Sequence, residues 1–351
     1  MPIFDENDPF FERVFSFLRI DGDMRIYLRK RSYFYFRGQE SFELDILGRT
    51  TLELMQERLS AEFIEGEPPQ GDKVVLDPVY PFLSKERLNN LLTMYQGGFS
   101  FEGGYVVRGG SKGGVKLGRI EQGLFSLADY PKILSRAAKE NAAYWAERGA
   151  LVQEGAFVSS LSCLGAGVVV ERGARILGKS VIEENAYIGE GSEIIESIIE
   201  EGTEIRRSVV ERSQIGRNTK IGPFAYLRPN SIVGDGCRVG DFVELKNCKF
   251  GSGSKAAHLS YIGDAQVGER VNVGCGVVFA NYNGKTKSQS FVGDDSFIGS
   301  NCNLIAPVAV GAGSYLAAGT TLTKDLQSGD FCIGRCRETI KEGRAKEYLK
   351  K

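Results

Sequence analysis

Residues 215–245 read IGRNTKIGPFAYLRPNSIVGDGCRVGDFVEL, and an aliphatic side chain returns at every sixth position: Ile215, Ile221, Leu227, Val233, Val239 and Leu245. No helix repeats at six, and a plain half-buried strand repeats at two. A period of six therefore means a short strand, a turn, and a second short strand rotated onto a new face. The pattern extends both ways. Upstream it runs through Val152, Val158, Leu164, Val170, Ile176, Ile182, Ile188 and Ile194, then after a one-residue slip through Ile199 and Ile205; downstream it runs through Val292, Ile298, Leu304, Val310, Leu316 and Leu322. Glycine and asparagine recur at the intervening turns, as in Gly216-Arg217-Asn218 and Gly234-Asp235-Gly236, where a positive φ is cheapest. One buried aliphatic per six residues predicts a mainly β chain built as a parallel β-helix, a triangular prism of roughly 18 residues per coil.

Two stretches interrupt this rhythm: Phe250 to Ile262, which holds the chain's one histidine, and Asn281 to Gln289, NYNGKTKSQ, polar enough to be an ejected loop. Upstream of the prism, Ser126 to Gly149 has alanines, helically spaced charges and a terminal glycine, and reads as a connecting helix. Residues 1–125 combine aromatic strand candidates such as RIYLRKRSYFYF, helices over Thr51 to Phe63 and Lys85 to Tyr95, and tandem glycines at Gly97-Gly98, Gly103-Gly104, Gly109-Gly110 and Gly113-Gly114. The expected organisation is a small α/β domain over 1–125, a helical arm over 126–150, the β-helix over 151–326 and a C-terminal tail over 327–351.

Composition narrows the chemistry. With 44 basic against 45 acidic side chains among 351 residues, no charge excess exists to drive unspecific nucleic-acid binding. No apolar run approaches the roughly 20 residues of a membrane span, and the opening MPIFDENDPFFERVF carries acids where a signal peptide carries lysines. A cytoplasmic protein without integral membrane association is the expectation. Seven scattered cysteines suit a reducing compartment, and Cys332 and Cys336 in CIGRC lack the second pair a structural zinc needs. One histidine excludes any centre that takes three imidazoles, including a carbonic anhydrase of this architecture, and no metal is expected.

The candidate chemistry lies around the interruptions. Arg228 and Lys246 stand 18 positions apart, one coil, so they stack about 5 Å apart and can grip a dianion such as a phosphate monoester. His258, in GSKAAHLSYIGDA, keeps company with Tyr261, Asn272, Asn281, Tyr282 and Lys287, and an imidazole with an ordinary pKa near 6.5 can take a proton at neutral pH. Glu244, on the strand face of Lys246, is a candidate to orient that imidazole.

From Ser126 to Arg335 the sequence resembles the acetyltransferase half of the bifunctional N-acetylglucosamine-1-phosphate uridylyltransferase/glucosamine-1-phosphate acetyltransferase family. The resemblance is carried in order by IGPFAYLRP, VGDFVELKN, GSKAAHLSYIGDAQVGERVNVGCG, NYNGKTK, VGDDSFIGSN and LIAPVAVGAGSYLAAGTTLTKDL. It implies a left-handed winding of the β-helix, a homotrimer with sites between neighbouring prisms, and acetyl-CoA as donor. By position it implies His258 as general base, with Arg228, Lys246, Tyr261, Asn272 and Lys287 on the sugar phosphate. Asn281 and Tyr282 would border the acetyl group, and Ser300, Ala318 (through its backbone) and Arg335 the coenzyme. Arg335 lies beyond the last coil, within reach of a neighbouring subunit. Cys275 stands where the family usually has alanine and would touch the acetyl group through its main chain.

The same family's other half is longer than residues 1–125 and opens on a glycine-rich phosphate loop that Met1 to Met24 does not contain. LDILGRTTLELMQERL (Leu44 to Leu59) and VVLDPVYPFLSKERLNNLL (Val74 to Leu92) resemble two of its segments, but Pro78-Val79 stands where the metal-binding Gly-Asp is expected. The expectation is a shortened relic without nucleotidyl transfer. The implied activity is N-acetylation of glucosamine 1-phosphate in the supply of nucleotide sugars for peptidoglycan and cell-wall synthesis. Two alternatives stand beside it: acylation of another amino sugar phosphate or nucleotide-linked amino sugar, and a non-catalytic trimerising or regulatory hexapeptide protein.

Overall fold

A computed structural model describes residues 24–29, 35–36, 39–41, 44–46, 48–64, 68–70, 73–95, 98–108, 110–113 and 115–349. The chain divides into two compact units, Met1–Ala137 and Ala138–Lys351, and the boundary falls inside the expected helix, which runs Tyr130–Ala146.

The first unit carries a six-stranded sheet in the order Val115–Lys116, Phe99–Phe101, Gly104–Val107, Lys73–Leu76, Arg25–Arg29, Glu62–Ile64. Arg25–Arg29 pairs in parallel with both Glu62–Ile64 and Lys73–Leu76, while Gly104–Val107 runs antiparallel to Lys73–Leu76. Helices Thr51–Leu59 and Lys85–Met94 supply Met55, Leu59, Leu88 and Leu92 to a core shared with Leu28, Val74, Leu76 and Phe99. The first helix is shorter than the expected Thr51 to Phe63. It starts on a capping box between Thr50 and Glu53 and stops when Ser60 turns left-handed at φ 50°, after which Glu62–Ile64 is a strand. A β-branched and aromatic run fits a pleated surface better than a helix end. Of the tandem glycines, Gly97, Gly109 and Gly114 lie outside the described residues, as do the expected features of Met1 to Met24 except Met24 itself.

The second unit carries a parallel β-solenoid of 26 strands, most of them two or three residues long, paired from coil to coil. The spaced aliphatics fill its axis: Ile176, Ile188, Ile194, Ile205, Ile215, Leu227, Leu245 and Leu304 are fully buried in one continuous core. Coils span 18 residues, as in Leu151↔Val169, and in places shorten to 17 or 16, as in Val181↔Ile198 and Glu193↔Val209. The shortening comes from five-residue steps at Ile194 to Ile199, Ile205 to Val210 and Val210 to Ile215, where each inward residue stays buried. Corners are closed by buried serine and threonine hydroxyls that accept from the next coil's backbone, such as Ser197 N–H to Ser180 Oγ at 3.2 Å and Thr219 N–H to Thr203 Oγ1 at 3.2 Å.

One expected interruption is absent. Phe250, Ala256 and Ile262 are all buried at six-residue spacing, and Lys255–Val267 pairs in parallel with Arg238–Phe250 along its whole length at an offset of 17. Alanine at the inward position 256 hid the period, and the step from Leu245 to Phe250 is one of the short ones. The other interruption is real. Ala265 pairs with Ser290 at an offset of 25, and the surplus residues form a loop closed by a Tyr282↔Lys287 bridge and by Ser288 N–H to Asn281 O at 2.8 Å.

Candidate active site

His258 projects from a corner of the solenoid, with its side chain 59% exposed. Its Nδ1 lies 2.7 Å from Oδ1 of Asp241, the residue directly below it in register. An ionised carboxylate only accepts, so Nδ1 is the donor of this bond, and in the neutral imidazole the lone pair then falls on Nε2. That bond to the imidazole, foremost, holds the Asp241 carboxyl below the usual aspartate range. The backbone turns left-handed immediately after each partner, at Phe242 (φ 56°) and Leu259 (φ 35°). Bulky residues seldom adopt that conformation, and such outliers gather at functional sites.

Asp241 therefore replaces Glu244 in the orienting role expected from the sequence. Glu244 is committed elsewhere: its Oε1 accepts from Arg228 Nη1 at 2.8 Å, and that bond holds the guanidinium pKa above its ordinary value. The coil here is 17 residues long, so residues 241 and 258 stack. The 17-residue spacing was the signal for Asp241, and counting in eighteens missed it.

Above His258 the same corner carries most of the residues expected to meet a coenzyme. Successive registers place Cys275, Ser300 and Ala318 one coil apart, about 5 Å per step. All three are exposed and small, and the main chain between them is joined by Asn301 N–H to Cys275 O and Gly319 N–H to Ser300 O, each at 2.8 Å. Arg335 folds back on this column and donates from Nη1 to Ala318 O at 2.8 Å, so within the chain it serves its own corner.

Lys246 lies at the far edge of the face that starts at His258. It is in register with Gly263, five positions beyond His258, on the order of 15 Å of extended chain. The structure thus does not set the imidazole beside Arg228 and Lys246 within one protomer; it puts them on opposite edges of one face, with Tyr261 between. Lys246 Nζ sits 3.1 Å from both oxygens of Asp264, and Asn281 Nδ2 donates to Asp264 and lies 3.5 Å from the Tyr261 hydroxyl. Burial pushes the Asp264 carboxyl up, but hydrogen bonds from Asn247, Lys246 and Asn281 outweigh it and the net shift is downward.

The remaining expected residues are more dispersed. Tyr282 and Lys287 stand on the loop, where the Tyr282 hydroxyl donates to Gly284 O at 2.7 Å. Asn272 is on another face, in register with Phe297, the first ring of an outward stack with Tyr315 and Phe331 at centroid spacings of 4.7 and 5.4 Å. In the first unit, the carboxylate before Pro78-Val79 is Asp77, fully buried, accepting from Arg29 Nε at 2.9 Å and Nη2 at 2.8 Å.

Comparison with known proteins bears on this half of the chain. The family model for "Bacterial transferase hexapeptide (six repeats)" matches residues 212–247. The bifunctional protein GlmU of Clostridium novyi is 50% identical over 184 residues, which is 52% of this chain and 40% of that protein. The second half of the chain is GlmU-like. GlmU of Halalkalibacterium halodurans is 42% identical over 219 residues, 62% of this chain and 48% of that protein. The chain thus matches less than half the length of these curated relatives. Among solved structures, the acyltransferase LpxA of Bacteroides fragilis aligns at TM-score 0.35 and 16% identity over 48% of this chain and 68% of that one.

Proposed function

We propose that this protein is an acetyl-CoA-dependent N-acetyltransferase that converts glucosamine 1-phosphate to N-acetylglucosamine 1-phosphate in the cytoplasm, for nucleotide-sugar and cell-wall precursor synthesis. The observation that carries the reading is the Asp241–His258 pair standing at the foot of the Cys275–Ser300–Ala318 column, on a GlmU-like solenoid. Nε2 of His258 takes a proton from the sugar amine as its nitrogen attacks the thioester carbonyl. The carbon–sulfur bond then breaks, and the coenzyme leaves as a thiol after receiving the proton from the imidazolium. Asp241 holds the ring in the tautomer that can do this and neutralises the imidazolium. The small side chains of the column leave the main chain open to an extended thioester arm, with Asn281 and Tyr282 bordering the acetyl group.

Arg228, Lys246, Tyr261, Asn272 and Lys287 are the proposed phosphate and sugar contacts. Because Lys246 and His258 lie on opposite edges of one face, a sugar phosphate reaches both kinds of group most simply in a cleft between two prisms. That supports the homotrimer of the resemblance, with a left-handed winding. Neither a metal nor uridylyl transfer belongs to this reading: Asp77, the carboxylate nearest the expected metal position, is taken up by Arg29.

A second acceptor remains in view for one reason. Arg228 and Lys246 are each neutralised by a carboxylate of their own chain, Glu244 and Asp264, so the face is not built for a dianion alone. The test is thiol release from acetyl-CoA with glucosamine 1-phosphate, another amino sugar phosphate or a nucleotide-linked amino sugar, with mass spectrometry of the product. Release with the first compound supports the reading, and release only with another moves the assignment to that acceptor. With UTP and N-acetylglucosamine 1-phosphate, appreciable pyrophosphate contradicts the absence of uridylyl transfer.

A further inference from the structure

Four polar residues stack along the corner opposite His258: Asn230, Asn247, Asp264 and Asn281, one per coil. The first three turn left-handed, at φ 65°, 46° and 48°, which asparagine and aspartate tolerate best among residues with a side chain. An all-asparagine ladder could run its amides in either sense, because each amide both donates and accepts. The single carboxylate removes that freedom. Asp264 accepts from Asn247 Nδ2 at 2.8 Å on one side and from Asn281 Nδ2 on the other, and its charge is balanced by Lys246 Nζ at 3.1 Å. Asp264 and Asn281 are both more than nine-tenths buried, at 6% and 9% exposure, so water does not substitute readily for these bonds.

We infer that Asp264 is a positioning residue of the transfer site: an acceptor-only group that forces Asn281 to turn its amide nitrogen inward and its carbonyl outward, while fixing the Lys246 ammonium. This deepens the acetyltransferase reading and rests on it. Asn281 is also where the ejected loop begins, with its main-chain carbonyl accepting from Ser288 N–H to close the loop, so the same carboxylate anchors the base of the loop that carries Tyr282 and Lys287. A group held in one orientation can meet the acceptor amine or the thioester arm without first rearranging.

Asp264→Asn keeps the shape and lets the ladder run either way. The expected result is a folded protein with a lower melting temperature and a kcat for thiol release reduced about 10- to 100-fold, the cost of a misaligned site. The reversed pair Asp264→Asn/Asn281→Asp restores a donor–acceptor contact with opposite polarity. It is expected to recover melting temperature but not kcat, because the amide at 281 is then itself gone. The readout that a merely structural role does not give is Asp264→Asn alone, whose kcat stays low well below its melting temperature while KM for acetyl-CoA changes little. A kcat for Asp264→Asn within twofold of wild type, or recovery of kcat together with stability in the reversed pair, overturns the inference while leaving the acetyltransferase reading intact. No thiol release by the wild type with any of the three acceptor classes overturns both.

Discussion

The Asp241–His258 pair is exposed, so its contribution to folding is small and its contribution to chemistry is what the geometry favours. Asp241→Asn replaces an acceptor-only carboxylate with an amide that can also donate, so the imidazole tautomer is no longer fixed. Its kcat should fall about 10- to 100-fold with an unchanged melting temperature, as measured by steady-state thiol release beside calorimetry. Asp264 behaves differently because it is buried. Its folded carboxyl titrates below the unfolded one, so its stabilisation is present at neutral pH and is lost as pH falls below about 4. The melting temperatures of wild type and Asp264→Asn should therefore differ most at pH 7, and the gap should have begun to narrow at pH 3.5. A gap of the same size at both values contradicts the ion-pair account. Sequence reading singled out His258, Arg228 and Lys246 as candidates but not these two carboxylates. Each acts through a neighbour 17 positions away, a spacing visible only once the local coil length is known.

At the scale of the element, the six-residue period was legible because long aliphatics mark it, and it faded where they do not. Ala256 fills an inward position with too little side chain to stand out, and five-residue steps such as Leu245 to Phe250 shift the count. The helix ending at Leu59 instead of Phe63 shows the same limit: Ser60 ends it through backbone geometry that composition does not announce. The inward aliphatics carry the coil stack, and close packing makes truncation costly. Ile205→Ala should cost about 2–5 kcal/mol of stability in chemical denaturation, the usual range for an isoleucine emptied from a tight core. A loss under 1 kcal/mol would mean that the axis is loosely packed there.

For the molecule as a whole, the cysteines report whether the prism is closed. Cys237, Cys248 and Cys302 are buried, and burial pushes the Cys248 thiol up to about 12, whereas Cys275 and Cys336 are exposed. Under native conditions at pH 8, maleimide should modify Cys275 and Cys336 quickly and the three buried thiols only after unfolding, as located by peptide mass spectrometry. Fast labelling of Cys248 contradicts a closed solenoid. Acetyl-CoA should slow labelling of Cys275, whose main chain lies on the proposed coenzyme column.

The proposed chemistry requires the His258 imidazole to take the proton of the acceptor amine. Its most direct test is steady-state thiol release from acetyl-CoA and glucosamine 1-phosphate by His258→Ala beside wild type. The variant's kcat is expected to be lower by about 10²- to 10⁴-fold, with acetyl-CoA binding retained in calorimetry. Turnover in the variant within a few fold of the wild-type rate would contradict it.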